Sequence, residues 1–136
     1  MPDRRHARAL IDTSLVIDLE RIDPLDLPAE LAVSAVTLAE LAAGPHATAG
    51  PVERARRQDR LQRAEATFDP VPLDAAVARA YGRVYAAVAG AGRKTRGRRA
   101  LDLLIAATAL AAGLPVYTRN PHDFRELGDL LEIVCV

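Results

Sequence analysis

Cysteine, lysine and tryptophan are nearly or wholly missing from this sequence. Cys135 is the only cysteine, so no disulfide can form within the chain and no Cys-based zinc site is possible. The role expected for it is that of a small buried hydrophobe near the carboxyl end. Tryptophan is absent and Lys94 is the only lysine, so that seventeen of the 18 basic side chains are arginine. An excess of either charge is missing too, because 18 acidic residues balance the 18 basic ones. Long hydrophobic runs are lacking. The longest uncharged apolar stretch, Leu103–Val116, is too short to span a bilayer and contains Pro115. The apolar stretch near the start is interrupted by Asp12 and Asp18, which makes it neither a signal segment nor a membrane span. Walker A, G-x-S-x-G and zinc-ligand spacings are absent. A soluble cytoplasmic protein without membrane contact is expected.

Half of the 136 residues are hydrophobic and 26% are charged, a balance that gives one ordinary domain with a real core rather than a disordered chain. A single domain over residues 1–136 is expected. Charge is neutral on average but not in its distribution. Positions 54–63 hold five arginines, and positions 93–99 hold five basic residues with no acid among them. Arginine's planar fork favours phosphate and carboxylate partners.

Strands and helices alternate along the chain. "ARALI" (7–11) reads as a short buried strand and "LAVS" (31–34) as a second. "AVTLAELAAG" follows as a helix, with Ser34 as N-cap and Gly44 as its stop. "GPHATAGP" is a loop, and "VERARRQDRLQRAEATF" is a polar helix with Leu61, Ala64 and Phe68 on one face. "PVPL" is a minimal strand. Asp74 then caps an amphipathic helix whose Val77, Ala80, Tyr81, Val84, Tyr85 and Val88 follow helical spacing. A basic loop, residues 90–99, precedes an apolar helix that stops at Gly113; strands at 114–118 and 131–136 flank a turn, "RNPHDF". This alternation predicts an α/β fold, a short parallel sheet with helices on both faces. The strands are apolar without a polar face, as burial on both sides requires. In such sheets ligands bind beyond the carboxyl ends of the strands.

Several acids are sent towards that edge. Asp12 follows the first strand, Asn120 and Asp123 follow the strand ending at Thr118, and Glu40 lies about two turns into its helix. Asp102 heads the apolar helix and is the only acid between Asp74 and Asp123. Each has an ordinary structural role open to it. Asp12 and Asp102 can cap helices, Glu40 can be a solvated helix residue, and Asp123 can stabilise a turn. Asp102 is set apart by its surroundings. A helix apolar all round is buried, and Ala106 and Ala109 leave room beside the carboxylate. A carboxylate so placed needs a partner, for which Arg98, Arg99 and a metal ion are the candidates.

Four segments then fall in a familiar order: "LIDTS" at Leu10–Ser14, "TLAEL" at Thr37–Leu41, "RRALDLLIAATA" at Arg98–Ala109 and "YTRNPHDF" at Tyr117–Phe124. Together they resemble a PIN domain, more narrowly the toxin ribonuclease of VapBC toxin–antitoxin systems. The resemblance runs from Leu10 to Phe124. It implies an endoribonuclease that hydrolyses RNA phosphodiester bonds with water activated by Mg²⁺ or Mn²⁺. It also implies a cognate VapB-type antitoxin, a homodimer, and Asp12, Glu40, Asp102 and an acid of the last motif as metal-binding catalytic residues. That last acid is Asp123 or, where many relatives carry Asp, the position of Asn120. Thr13, Ser14 and Thr118 match the supporting hydroxyl residues. Arg93, Lys94, Arg96, Arg98 and Arg99 are expected to hold the RNA backbone.

No histidine stands out as a base, since His6, His46 and His122 are scattered. A phosphoacceptor receiver domain also gathers acids at a sheet edge, but it wants a lysine at a strand end, and Lys94 lies in the basic loop. A PIN-like domain with weak catalysis, serving as an RNA- or protein-binding scaffold, is the alternative that the sequence leaves open.

Overall fold

Four short strands make one parallel sheet in the order β2-β1-β3-β4, in a computed structural model that describes residues 6–136. The basic head of the chain, residues 1–5, lies outside the described residues. The strands are β1 (Arg8–Ile11), β2 (Glu30–Ala32), β3 (Val116–Thr118) and β4 (Ile133–Cys135). Leu10 pairs with Ala32 on one side and with Val116 on the other. Strand β4 continues the sheet beyond β3, with Tyr117 opposite Val134. The expected strand at "PVPL" is reduced to one bridge between Ser34 and Val71. Pro70 and Pro72 flank Val71 and offer no N–H to extend it.

Successive side chains of a strand point to opposite faces, and here both faces are covered. Leu10, Ala32 and Val116 pack with α4 (Ala75–Gly90) and α5 (Arg98–Ala112) in one apolar cluster. Ala9, Ile11 and Tyr117 pack on the other side with residues of α1 (Thr13–Ile17) and α3 (Pro51–Thr67). The remaining helix, α2 (Ala35–Ala43), begins where the sequence places it: Ser34 Oγ accepts from the Val36 N–H at 3.0 Å. Asp74 caps α4 in the same way, through Val77 N–H at 3.0 Å.

Helix α5 buries the middle of its length in the core. Leu103, Ile105, Ala106, Ala107 and Ala109 have no exposed surface, and each large apolar side chain so buried contributes roughly 1.5–3 kcal/mol. Its end is set by Gly113, whose φ of 68° is a left-handed cap that a Cβ would strain. Its start differs from the sequence reading. The helix opens at Arg98 after Gly97, so Arg98 and Arg99 belong to the helix and not to the loop. Asp102 is therefore not its cap but a residue of the second turn.

Candidate active site

The strand order reverses at β1. The chain steps from β1 out to β2, then returns to β3 on the other side of β1. Such a switch point opens a crevice beyond the carboxyl ends of the strands. Asp12, directly after β1, occupies it. Its backbone N–H donates to the Tyr117 carbonyl at 3.2 Å, tying it to β3. Its carboxylate is buried and hydrogen-bonded, with one acceptor site of Oδ2 left open: Oδ1 accepts from Ser14 Oγ at 2.8 Å and from the Leu15 N–H at 3.0 Å, and Oδ2 accepts from Thr118 Oγ1 at 2.6 Å. Asp12 thus caps α1, the structural role open to it from sequence, at the strand end next to the crevice. Burial pushes its carboxyl above the ordinary range against the pull of these hydrogen bonds.

Glu40 reaches the same place from α2. Thr13 Oγ1 donates towards Glu40 Oε1 at 2.7 Å and lies 3.0 Å from Thr37 Oγ1. Thr37, with no exposed surface, sits three residues before Glu40 on the same helix face. It is a supporting residue that sequence reasoning passed over, although it stands inside the "TLAEL" motif.

Asp102 comes from α5 and is half-buried. Its carboxyl is pushed up to about 6, first by burial and then by the charges of Asp123 and Glu40, with Asp12 adding and Arg99 opposing. Asp102 therefore feels the charges of three acids from other parts of the chain. Asp123 lies in the 3-10 turn Pro121–Leu127 and presses on both Asp12 and Asp102. Asn120 is exposed, and it is its backbone N–H that takes part in the local network, donating to Thr118 Oγ1 at 2.9 Å. Among the described residues, no three acidic, histidine or cysteine side chains stand close enough to hold one ion directly.

The basic run divides in two. Lys94, Arg96 and Arg98 are exposed and make no ion pair among the described residues. Arg93 and Arg99, expected to face phosphate with them, instead hold Glu126 at 3.0 and 2.9 Å. A groove of about 600 Å³ has Glu40 in its wall together with Thr13, Arg57, Arg60 and Arg98, whereas Asp12, Asp102 and Asp123 do not line it. The histidines stay apart. His6 bonds Tyr117 Oη and Glu132, and His122 is exposed next to Arg125. No helix of the described residues is long and apolar enough to cross a membrane.

These features have counterparts among known proteins. The family model of the PIN domain matches residues 9–130. The ribonuclease VapC5 of Mycobacterium tuberculosis is 36% identical over 124 residues, covering 89% of this chain and 88% of that protein. The ribonuclease VapC8 of the same organism is 38% identical over 101 residues, 74% of this chain and 88% of the relative. Among solved structures, the VapBC-5 toxin–antitoxin complex of M. tuberculosis superposes with a TM-score of 0.83 at 36% identity, covering 96% of this chain and 99% of that one. VapBC2 of Rickettsia felis, solved with a fragment of its promoter DNA, reaches 0.76 at 21% identity and shares the fold, over 95% of this chain and 98% of that one. The chain belongs to the PIN-domain family and, within it, to the VapC ribonucleases.

Proposed function

We propose that this chain, read as one PIN domain, is a divalent-metal-dependent endoribonuclease and the toxin of a type II toxin–antitoxin pair. The observation that carries the proposal is the meeting of Asp12, Glu40, Asp102 and Asp123 at the switch-point crevice, where burial and mutual repulsion push Asp102 up to about 6. Unneutralised acids crowded at a sheet edge oppose folding unless a cation joins them. The donor set is oxygen only, which suits Mg²⁺ or Mn²⁺ over softer metals. Mg²⁺ keeps several waters and uses only one or two carboxylates directly, so acids spaced as these are still fit it.

Asp12 and Asp102 are the core ligands in this reading, with Glu40 and Asp123 as acceptors for coordinated water. Asp123 takes the fourth place over Asn120 because its charge reaches both Asp12 and Asp102. A bound divalent cation would neutralise charge on the phosphate and lower the pKa of an attacking water. The chain's own part is positional. Ser14, Leu15 and Thr118 fix the Asp12 rotamer, and Thr13 aims Glu40. Lys94, Arg96 and Arg98 remain free to hold the RNA backbone. A VapB-type antitoxin is the proposed partner, supported by relatives solved as VapBC complexes; a homodimer is proposed on the family resemblance.

Water's oxygen bonds to phosphorus and the P–O3′ bond breaks, leaving a 5′-phosphate and a 3′-hydroxyl. The RNA 2′-hydroxyl takes no part. The test is cleavage of a labelled RNA with end-group analysis. Activity is expected to vanish in EDTA and to return with Mn²⁺ or Mg²⁺, with Ca²⁺ rescuing poorly because of its looser geometry. Cyclic-phosphate ends, or full activity in EDTA, would overturn the mechanism. RNA binding without cleavage under any metal would favour the scaffold reading.

A further inference from the structure

Glu126 stands outside every motif that marks this site. It lies three residues beyond Asp123 in the same 3-10 turn, between the fully buried Phe124 and Leu127. Its side chain is only 7% exposed, yet it is ringed by arginines. Oε2 accepts from Arg99 Nη2 at 2.9 Å, while Oε1 accepts from Arg93 Nε at 3.0 Å and from Arg125 Nε at 3.3 Å.

Arg99 is the important member. It precedes Asp102 by three residues and so lies on the same face of α5. Its side chain is 12% exposed, its Nη1 stops 3.9 Å from Asp123 Oδ1, and its Nε is buried without a hydrogen-bond partner. Bonded to Glu126 through Nη2, with Nε unsatisfied and Nη1 at 3.9 Å from Asp123, the guanidinium is held by Glu126 rather than by the acids of the crevice. Arginine and a carboxylate prefer paired N–H···O bonds. A freely swinging Arg99 would find them on Asp123 or Asp102, and those oxygens would then be closed to any other cation.

We infer that Glu126 is a positioning residue: it holds Arg99 behind Asp123, so that the guanidinium relieves repulsion among the acids without occupying the oxygens that a divalent cation needs. This rests on the metal-dependent reading above. Arg93, bonded to the same carboxylate, fixes the loop leading to Lys94 on the same anchor.

Mn²⁺ binding to the purified chain, followed by calorimetry without RNA, tests the inference. Glu126→Gln keeps the shape and releases the charge. It is expected to weaken Mn²⁺ binding about tenfold, the lower end of what loss of an outer-layer partner costs. Adding Arg99→Gln to it removes the intruding cation and is expected to restore affinity to within a few-fold of the parent. That recovery is a coupling that a merely structural Glu126 would not produce. Unchanged affinity in Glu126→Gln, or a double variant as weak as the single one, would overturn the inference. Should Glu126→Gln fail to fold, the apolar pair Arg99→Met with Glu126→Met removes both charges together, a replacement that buried ion pairs often tolerate. Parental or tighter Mn²⁺ binding then supports the inference, and a tenfold loss overturns it. A parent chain that binds no Mn²⁺ would bring down the metal-dependent reading itself, whereas parent and Glu126→Gln binding equally well would remove only the role given to Glu126.

Discussion

Thr118 donates its hydroxyl hydrogen to Asp12 Oδ2 across 2.6 Å, joining two strand ends that lie 106 residues apart in the chain. The same hydroxyl accepts the Asn120 N–H at 2.9 Å, so one side chain fixes both the first acid and the entry to the turn that carries Asp123. Thr118→Val keeps the size and removes the bond. A buried acceptor left without its donor costs about 1–3 kcal/mol, and a drop in melting temperature of several degrees is expected. Thr118→Ser should recover most of the stability and the activity. If the Val and Ser variants melt alike, the hydroxyl is not what holds Asp12.

Asp102→Asn separates charge from shape. Asp102 caps nothing, because α5 starts at Arg98, so the variant should fold. In the absence of metal it should melt no lower than the parent, since an uncompensated charge has been removed from a half-buried site. Cleavage should fall by at least about two decades, as expected when several kcal/mol of charge stabilisation is lost. A variant that cleaves at the parental rate would remove Asp102 from the site.

Burial and neighbouring acids raise the Asp102 carboxyl from 3.8 to about 6, and burial moves Asp12 in the same direction. The folded chain therefore binds these protons more tightly than the unfolded chain does. The stability that the Asp102 proton confers is complete below about pH 4 and is lost as the pH rises through about 6. Metal-free protein should thus melt higher at pH 5 than at pH 7.5, by an amount on the order of 1–2 kcal/mol once solvent access to Asp102 is allowed for. Saturating Mn²⁺ should flatten or reverse the trend, because the ion binds the ionised acids of the folded chain only. A metal-free melting temperature that climbs steadily from pH 5 to 7.5 would contradict the proposed crowding.

Lys94, Arg96 and Arg98 are exposed, Arg98 in the groove that Glu40 also lines, and joint replacement of the three with Ala should weaken RNA binding more than it slows cleavage of bound RNA. Each phosphate that the variant no longer neutralises should take about 0.7 from the slope of log K against log salt for a single strand. Arg93→Ala should act differently, with its main effect on stability, because that side chain is tied to Glu126. An unchanged salt slope in the triple variant would mean that the run is ordinary solvated surface.

Much of this protein was determined by local sequence. The caps at Ser34 and Asp74, the stop at Gly113 and the uninterrupted apolar strands each follow from nearest-neighbour chemistry. They fix a parallel α/β sheet whose carboxyl edge receives Asp12 and Asp123. The motif order from Leu10 to Phe124 fixes the family. Tertiary structure decided the rest. Periodicity reports that a face is buried but not what it is buried against. The five basic residues at 93–99 read alike in sequence, yet Arg93 and Arg99 turn inward to Glu126 while Lys94, Arg96 and Arg98 stay exposed. Thr37 lies inside a motif without its role being legible there and Glu126 lies outside every motif, because their partners are supplied by packing across separations of 24 and 27 residues. The sequence placed acids at one edge. Only the folded chain decided which hydroxyls hold them and which arginine is kept from closing the site, since both depend on side chains that meet after α5 and the last turn have docked on the sheet.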